Sequence, residues 1–167
     1  YTCVNVNPLY TARELEHQLK DSGATAIVIL ENFAHTLAEV VDHTNVKHVV
    51  MASMGDMLGF CYGQWITFAV RHLAKMVPAY ELPLTGGRQV TSFKKALAMG
   101  ARRTLQPSQA NHDSIAFLQY TGGTTGLSKG AVLTHRNIIA ATLQAEAWFT
   151  PALAKIGDLS KANSIAA

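Results

Sequence analysis

YTGGTTGLSKG, residues 120–130, lies between two short apolar runs, Ile115–Leu118 and Ala131–Leu133. Glycine tolerates positive φ and has no Cβ, so successive backbone N–H groups can point into one concavity and approach an anion closely. Threonine and serine hydroxyls add neutral hydrogen-bond donors, and Lys129 adds a positive charge. The composition predicts a phosphate-binding loop that follows a buried strand, and a surface turn without a ligand is the alternative.

The order of residues in the loop differs from that of the P-loop NTPases. Their motif places a serine or threonine directly after the lysine, where its hydroxyl binds Mg²⁺. Here Ser128 precedes Lys129 and Gly130 follows it. The loop therefore does not belong to that class of nucleotide-binding protein.

The twelve positions Leu118–Lys129 resemble the signature of the adenylate-forming enzymes, which include acyl-CoA synthetases, luciferases and peptide-synthetase adenylation domains. Three features resemble more narrowly the bacterial long-chain fatty acyl-CoA synthetases. They are the doubled glycine of the loop, the segment LTHRN at 133–137 and the segment VNVNPLYTARELEHQLKDSGA at 4–24. The resemblance extends from about Val4 to Leu153.

This resemblance implies an acid–thiol ligase reaction in two steps. A long-chain fatty acid and ATP would give an acyl-adenylate and pyrophosphate, and coenzyme A would then displace AMP to form the thioester. It also implies which residues bind the β- and γ-phosphates of ATP. These are Thr121, Gly122, Gly123, Thr124, Thr125, Gly126, Ser128 and Lys129. Tyr120 is interpreted as a structural residue beside the loop, and His135 as a surface or capping residue.

Several parts of the family's active site are absent from the sequence. They include the aromatic-x-x-Thr-Glu motif that supplies a ligand for Mg²⁺, so the metal ligand is expected to lie outside this chain. We therefore expect residues 1–167 to be a partial AMP-binding N-terminal domain from a longer protein, with the rest of that domain and a small C-terminal domain outside it. No catalytic residue is predicted within the chain, which is expected to be inactive by itself.

The apolar patterns predict an α/β fold, made of parallel-sheet βαβ units and incomplete relative to the family's large N-terminal domain. Thr11 and Glu14 have the spacing of a capping box, which predicts a helix that ends at Ser22, before Gly23, and buries Leu15 and Leu19 on one face. Strands are predicted at Thr2–Val6, at Ala24–Leu30 and Val46–Met51, which are both expected to be buried, and at Asp113–Gln119. Helices are predicted after an Asn32 cap, as a long insertion over Met54–Val77, at Phe93–Arg102 after a Ser92 cap, and from His135 to Phe149, ended by Pro151.

Composition excludes several other classes. The net charge is +3, but the 14 lysines and arginines are scattered, so a nucleic-acid partner is not expected. The seven histidines never stand four residues apart, and the two cysteines are too few for a metal or disulfide framework. No signal peptide pattern opens the chain. The predicted location is the cytoplasm.

The segment 57–77 is rich in aromatic residues, and its charge-free stretch, Met57–Val70, is too short to span a bilayer. Packing of this segment against its own protein is the favoured interpretation, and peripheral contact with the inner face of the cell membrane is the alternative. A homodimer of the longer protein is a further possible partner. Two other functions stay open: an amino- or aryl-acid adenylating module that serves a carrier protein, and a non-catalytic nucleotide- or partner-binding remnant.

Overall fold

The structure is a computed structural model that describes residues 1–121 and 128–156, with side chains described as far as residue 151. The chain forms two compact units. One comprises Tyr1–Cys3, Ser108–Gln119 and Ala131–Ala167, and the other comprises Val4–Pro107 and Tyr120–Gly130. The second unit contains α1 and both ends of the predicted phosphate loop.

The strands and α-helices of the described residues follow one another along the chain in a mixed order. They are β1 (Cys3–Asn5), α1 (Ala12–Ser22), β2 (Ala26–Leu30), α2 (Ala34–Val40), β3 (His48–Ala52), α3 (Phe60–Phe68), β4 (Gln89–Ser92), α4 (Phe93–Gly100), β5 (Ile115–Thr121), β6 (Lys129–Thr134) and α5 (His135–Ile156).

Strands β2, β3 and β4 form a parallel sheet with β3 in the centre. Ala26 of β2 pairs with His48 of β3, and Val49 of β3 pairs with Val90 of β4. Parallel neighbours require crossover connections, and α2 and α3 lie in the two connections. The predicted α/β fold class with parallel βαβ units is confirmed. A second sheet has the strand order β1-β5-β6.

The hydrophobic core of the second unit lies where α1 and α2 pack near β3. Its buried members are Leu15, Leu19, Leu37, Val40, Val41, Val46 and Val49. Leu15 and Leu19 recur at i, i+4 and so occupy one face of α1. The prediction that this face of the helix is buried is confirmed.

Helix α1 has the predicted start and end. The Thr11 hydroxyl accepts a hydrogen bond from the Glu14 backbone N–H, and the Thr11 N–H donates to the Glu14 carboxylate at 2.8 Å. Gly23 follows the helix in the left-handed conformation, with φ of 63°. These caps satisfy backbone groups that the ends of a helix leave unpaired.

Strand β4 was not predicted. Ser92 was predicted only as a helix cap, whereas Gln89–Ser92 is a strand. Ser92 occupies the N-cap position of α4 but makes no side-chain capping bond. Of the four residues in β4, only Val90 is strongly apolar, so the short apolar run that marks a buried strand is missing.

The burial expected for two strands was wrong. β2 was predicted to be covered on both faces, but Val28 is exposed. β5 begins at Ile115, which is exposed, while the next residue, Ala116, is buried. Neighbouring residues of a strand point to opposite faces. One face of each strand is therefore only partly covered by the described residues.

Three helix predictions also differ from the structure. Asn32 does not cap α2; its side-chain amide donates to the Met76 carbonyl at 3.0 Å, and α2 begins after Phe33. The helical part of Met54–Val77 is limited to α3 and the π-helical segment Ala69–Leu73 that continues it. Pro151 lies inside α5 and does not end it. The helix therefore tolerates the loss of the one backbone hydrogen bond that proline cannot make.

Candidate phosphate-binding site

The described ends of the phosphate loop carry three of the predicted phosphate-binding residues. Thr121 is the last residue of β5 and is exposed, Ser128 is half-buried, and Lys129 is exposed as the first residue of β6. Lys129 thus begins a strand, although the sequence placed it in the loop. The predicted ligands Gly122, Gly123, Thr124, Thr125 and Gly126 lie outside the described residues.

Tyr120 connects the end of β5 to helix α1. Its side chain is only 7% exposed, and its hydroxyl donates a 2.6 Å hydrogen bond to Oδ2 of Asp21, an exposed residue near the end of α1. Burial, together with the hydrogen bond to Asp21 and the negative charge of Asp21, raises the pKa of Tyr120 to about 12. The hydroxyl therefore stays protonated at neutral pH and acts as a donor. The side chain thus packs beside the loop, as the sequence predicts.

Gly130 of β6 lies directly against the ring of Tyr120. A Cβ built on Gly130 would lie 2.9 Å from Cζ of that ring. Carbon atoms in van der Waals contact are about 3.5–4.0 Å apart, so a larger side chain would displace the ring. The glycine that ends the loop motif thus makes room for the tyrosine that begins it.

His17 of α1 contacts the other end of the loop. Its Nε2 lies 3.0 Å from the carbonyl oxygen of Ser128. A carbonyl oxygen can only accept, so this nitrogen carries the hydrogen and donates it. His17 and Asp21 are four residues apart and therefore occupy one face of α1.

Helix α1 is itself fixed to its surroundings on a different face. Gln18 is buried, and its side-chain amide donates to the Asn5 carbonyl of β1 at 2.7 Å. Leu15 and Leu19 belong to the core. The helix can therefore hold Tyr120 and Ser128 in place. The sequence analysis missed His17 and Asp21, because the residues that they contact lie 111 and 99 positions away.

Asp113 forms an ion pair within the first unit. Its Oδ1 accepts from Nη2 of Arg136 at 2.9 Å. His135, the first residue of α5, is exposed. Among the described residues, no group of three or more His, Cys, Asp and Glu side chains could hold a metal ion.

The aromatic segment, residues 57–77, exposes four large aromatic side chains. Their exposed fractions range from 53% for Phe68 to 79% for Phe60, with Tyr62 and Trp65 between them. No helix in the described part of the chain combines the length and the apolar character needed to cross a membrane.

Comparison with known proteins places these residues in a family. Residues 1–160 match the AMP-binding enzyme family. The chain is 52% identical over 150 residues to a long-chain-fatty-acid–CoA ligase of Escherichia coli O157:H7, covering 90% of this chain and 26% of that protein. It is 49% identical over 161 residues to the corresponding ligase of Haemophilus influenzae, covering 96% of this chain and 27% of that protein.

A solved structure supports the fold. The A domain of a carboxylic acid reductase from Segniliparus rugosus, determined with AMP and a co-purified carboxylic acid, matches with a TM-score of 0.55 and 19% identity, covering 82% of this chain and 20% of that one. The chain thus spans about a quarter of the length of the curated ligases that it matches. Since the family match covers nearly all of its residues, the chain belongs to the AMP-binding enzymes.

Proposed function

We propose that this chain contributes the ATP-phosphate-binding part of a long-chain fatty acid–CoA ligase. The observation that carries the proposal is the 52% identity to the E. coli ligase across 90% of the chain. The described ends of the loop agree with it, because Thr121 and Lys129 are both exposed and can reach a ligand.

In the proposed reaction, a carboxylate oxygen of the fatty acid attacks the α-phosphorus of ATP. The bond to the β-phosphate breaks, which releases pyrophosphate and leaves an acyl-adenylate. The thiol of coenzyme A then attacks the acyl carbon and releases AMP. The first step moves negative charge onto the leaving pyrophosphate, so donors and cations around the β- and γ-phosphates stabilise its transition state.

The residues of this chain would supply part of that stabilisation. Thr121 and Ser128 offer hydroxyl donors, and Lys129 offers a positive charge. Backbone N–H groups at positions 122–126 are proposed to complete the cradle. Mg²⁺ would neutralise further phosphate charge. The aromatic-x-x-Thr-Glu motif is absent from the sequence, so we place the metal's carboxylate ligand outside this chain.

The decisive experiment measures ATP–pyrophosphate exchange by the complete protein encoded by the reading frame that contains this chain. We expect exchange that depends on palmitate and is not supported by amino acids or benzoate. Exchange driven by an amino acid or an aryl acid would instead identify an adenylating module for a carrier protein. No exchange with any acid would leave a non-catalytic nucleotide-binding protein.

A lysine substitution tests the role of the loop in the same assay. Lys129→Ala should lower kcat/KM for ATP about tenfold or more, since hydrogen bonds to charged groups contribute about 1.5–3 kcal/mol. Lys95→Ala removes another exposed lysine, on α4, and serves as the matched control. Equal effects of the two substitutions would exclude a phosphate-binding role for Lys129.

A further inference from the structure

Helix α1 contacts both ends of the phosphate loop from a single face. Asp21 accepts the Tyr120 hydroxyl at 2.6 Å, and His17 donates to the Ser128 carbonyl at 3.0 Å. Tyr120 directly precedes Thr121, and Ser128 directly precedes Lys129. The two contacts therefore fix the backbone next to two exposed phosphate-binding candidates.

We propose that His17 and Asp21 are positioning residues for nucleotide binding: they hold the neighbouring ends of β5 and β6 at the separation that suits the phosphates of ATP. This inference rests on the proposed function. It extends that function to a helix that begins more than a hundred residues before the loop and contains none of the motif's residues.

The chemistry of the two contacts suits a positioning role. The Tyr120 side chain is buried and packs on Gly130, so its ring has little freedom to turn. A hydrogen bond to an ionised carboxylate is stronger than one between neutral groups. At the other end of the loop, His17 donates to the backbone carbonyl of Ser128. This bond restrains the backbone directly and does not depend on the side chain of Ser128.

The contacts that hold α1 in place do not involve His17 or Asp21. They are the capping box, the two leucines in the core and the Gln18 bond to β1, so we expect the helix to keep them when either residue is replaced. Loss of either contact should therefore release one end of the loop while the helix stays folded. A positioning defect of this kind can be separated from general unfolding.

The test compares steady-state kinetics of the complete protein carrying Asp21→Ala or His17→Ala with the unsubstituted protein. We expect KM for ATP to rise about fivefold or more, which corresponds to the lower end of the usual coupling between sites, while KM for palmitate stays unchanged. The conservative variants Asp21→Asn, which keeps an acceptor, and His17→Gln, which keeps a donor, should restore most of the ATP affinity.

Glu16→Ala is the matched control on the same helix. Glu16 pairs with Lys20 and His43, neither of which belongs to the loop, so its replacement should leave KM for ATP unchanged. In addition, the double variant Asp21→Ala, Tyr120→Phe should raise KM for ATP no more than the more severe of the two single variants does. The reason is that both substitutions remove the same hydrogen bond. The inference would be overturned if Asp21→Ala and His17→Ala changed KM for ATP no more than Glu16→Ala does. It would also be overturned if they raised KM for ATP and KM for palmitate equally.

Calorimetric titration with ATP separates this inference from the proposed function. If the complete protein shows no exchange, the ligase function fails, but ATP binding that is weakened by Asp21→Ala and His17→Ala and not by Glu16→Ala still supports positioning. Binding that all three variants leave unchanged, or no ATP binding by the unsubstituted protein, overturns it.

Discussion

At the scale of single residues, Tyr120 combines burial of an aromatic ring with one hydrogen bond to an exposed carboxylate. Its pKa of about 12 lies above the ordinary value of 10.0, first because the ring is buried and then because of the bond to Asp21. Below pH 10 the hydroxyl is protonated in both the folded and the unfolded chain. Between pH 10 and 12 the unfolded chain loses this proton first, so the stability that the protonated tyrosine contributes is lost as the pH rises.

Replacement of Tyr120 by phenylalanine should remove this pH dependence. From pH 8 to pH 11, the free energy of unfolding of the unsubstituted chain should fall by on the order of 1 kcal/mol more than that of Tyr120→Phe. Denaturant unfolding at the two pH values measures the difference. Tyr62→Phe, at an exposed position, is the control and should follow the unsubstituted chain. If the free energy of unfolding fell equally in Tyr120→Phe and in the unsubstituted chain, the raised pKa of Tyr120 would be contradicted as the cause.

The residues of the candidate site were predictable only where they form a local motif. Thr121, Ser128 and Lys129 could be proposed from the sequence because phosphate binding draws its donors from neighbouring positions in one loop. His17 and Asp21 carry no such signal, because their partners in the loop are distant in the sequence. A helix with a histidine and an aspartate four residues apart is also common on protein surfaces, where neither residue has a partner.

At the scale of elements, α3 depends on close contact between two buried glycines. A Cβ on Gly63 of α3 would lie 2.2 Å from the carbonyl oxygen of Gly55, in the turn that precedes the helix. Backbone atoms cannot move aside as the end of a long side chain can. The closeness of α3 to this turn therefore requires glycine at both positions.

Substitution of Gly63 by alanine should destabilise the chain by about 1–3 kcal/mol, the usual cost of overpacking. Gly100→Ala at the end of α4 is the matched control, since no atom lies within 4 Å of its added Cβ. The control should be neutral or stabilising by up to about 1 kcal/mol, because alanine favours helix more than glycine does. Thermal unfolding of both variants provides the measurement, and equal shifts of Tm would contradict the role assigned to the glycine contact.

Elements were predicted well where local signals agree and poorly where the surrounding structure decides. The capping box, the apolar face and Gly23 all indicated the same limits for α1, and the structure has those limits. β4 is a strand because it pairs with β3, which its own four residues do not reveal. Pro151 shows the reverse case, in which a strong local signal for a helix end does not end α5.

At the scale of the whole molecule, the aromatic segment is an exposed apolar surface. An exposed group of large apolar side chains usually marks an interaction site. We expect the 167-residue chain to self-associate as its concentration rises, and Phe60→Ser combined with Trp65→Gln to reduce this association. Light scattering across a concentration series tests the prediction.

Leu105→Ser, which removes an exposed apolar residue outside the segment, is the control for the aromatic substitutions and should leave association unchanged. Co-sedimentation with anionic phospholipid vesicles distinguishes the membrane alternative. A chain that stays monomeric at all concentrations and does not bind vesicles would show that this surface needs no partner.

The contacts of α1 with the loop also bear on how the protein is made. They join residues 99 and 111 positions apart, and contacts between such distant positions form slowly because a long loop of chain must close first. During synthesis from the N-terminus, α1 and the parallel sheet can form well before residues 120–130 leave the ribosome. The His17 and Asp21 side chains therefore lack these partners until the loop arrives, so the proposed nucleotide site is among the last parts of this unit to acquire its native contacts.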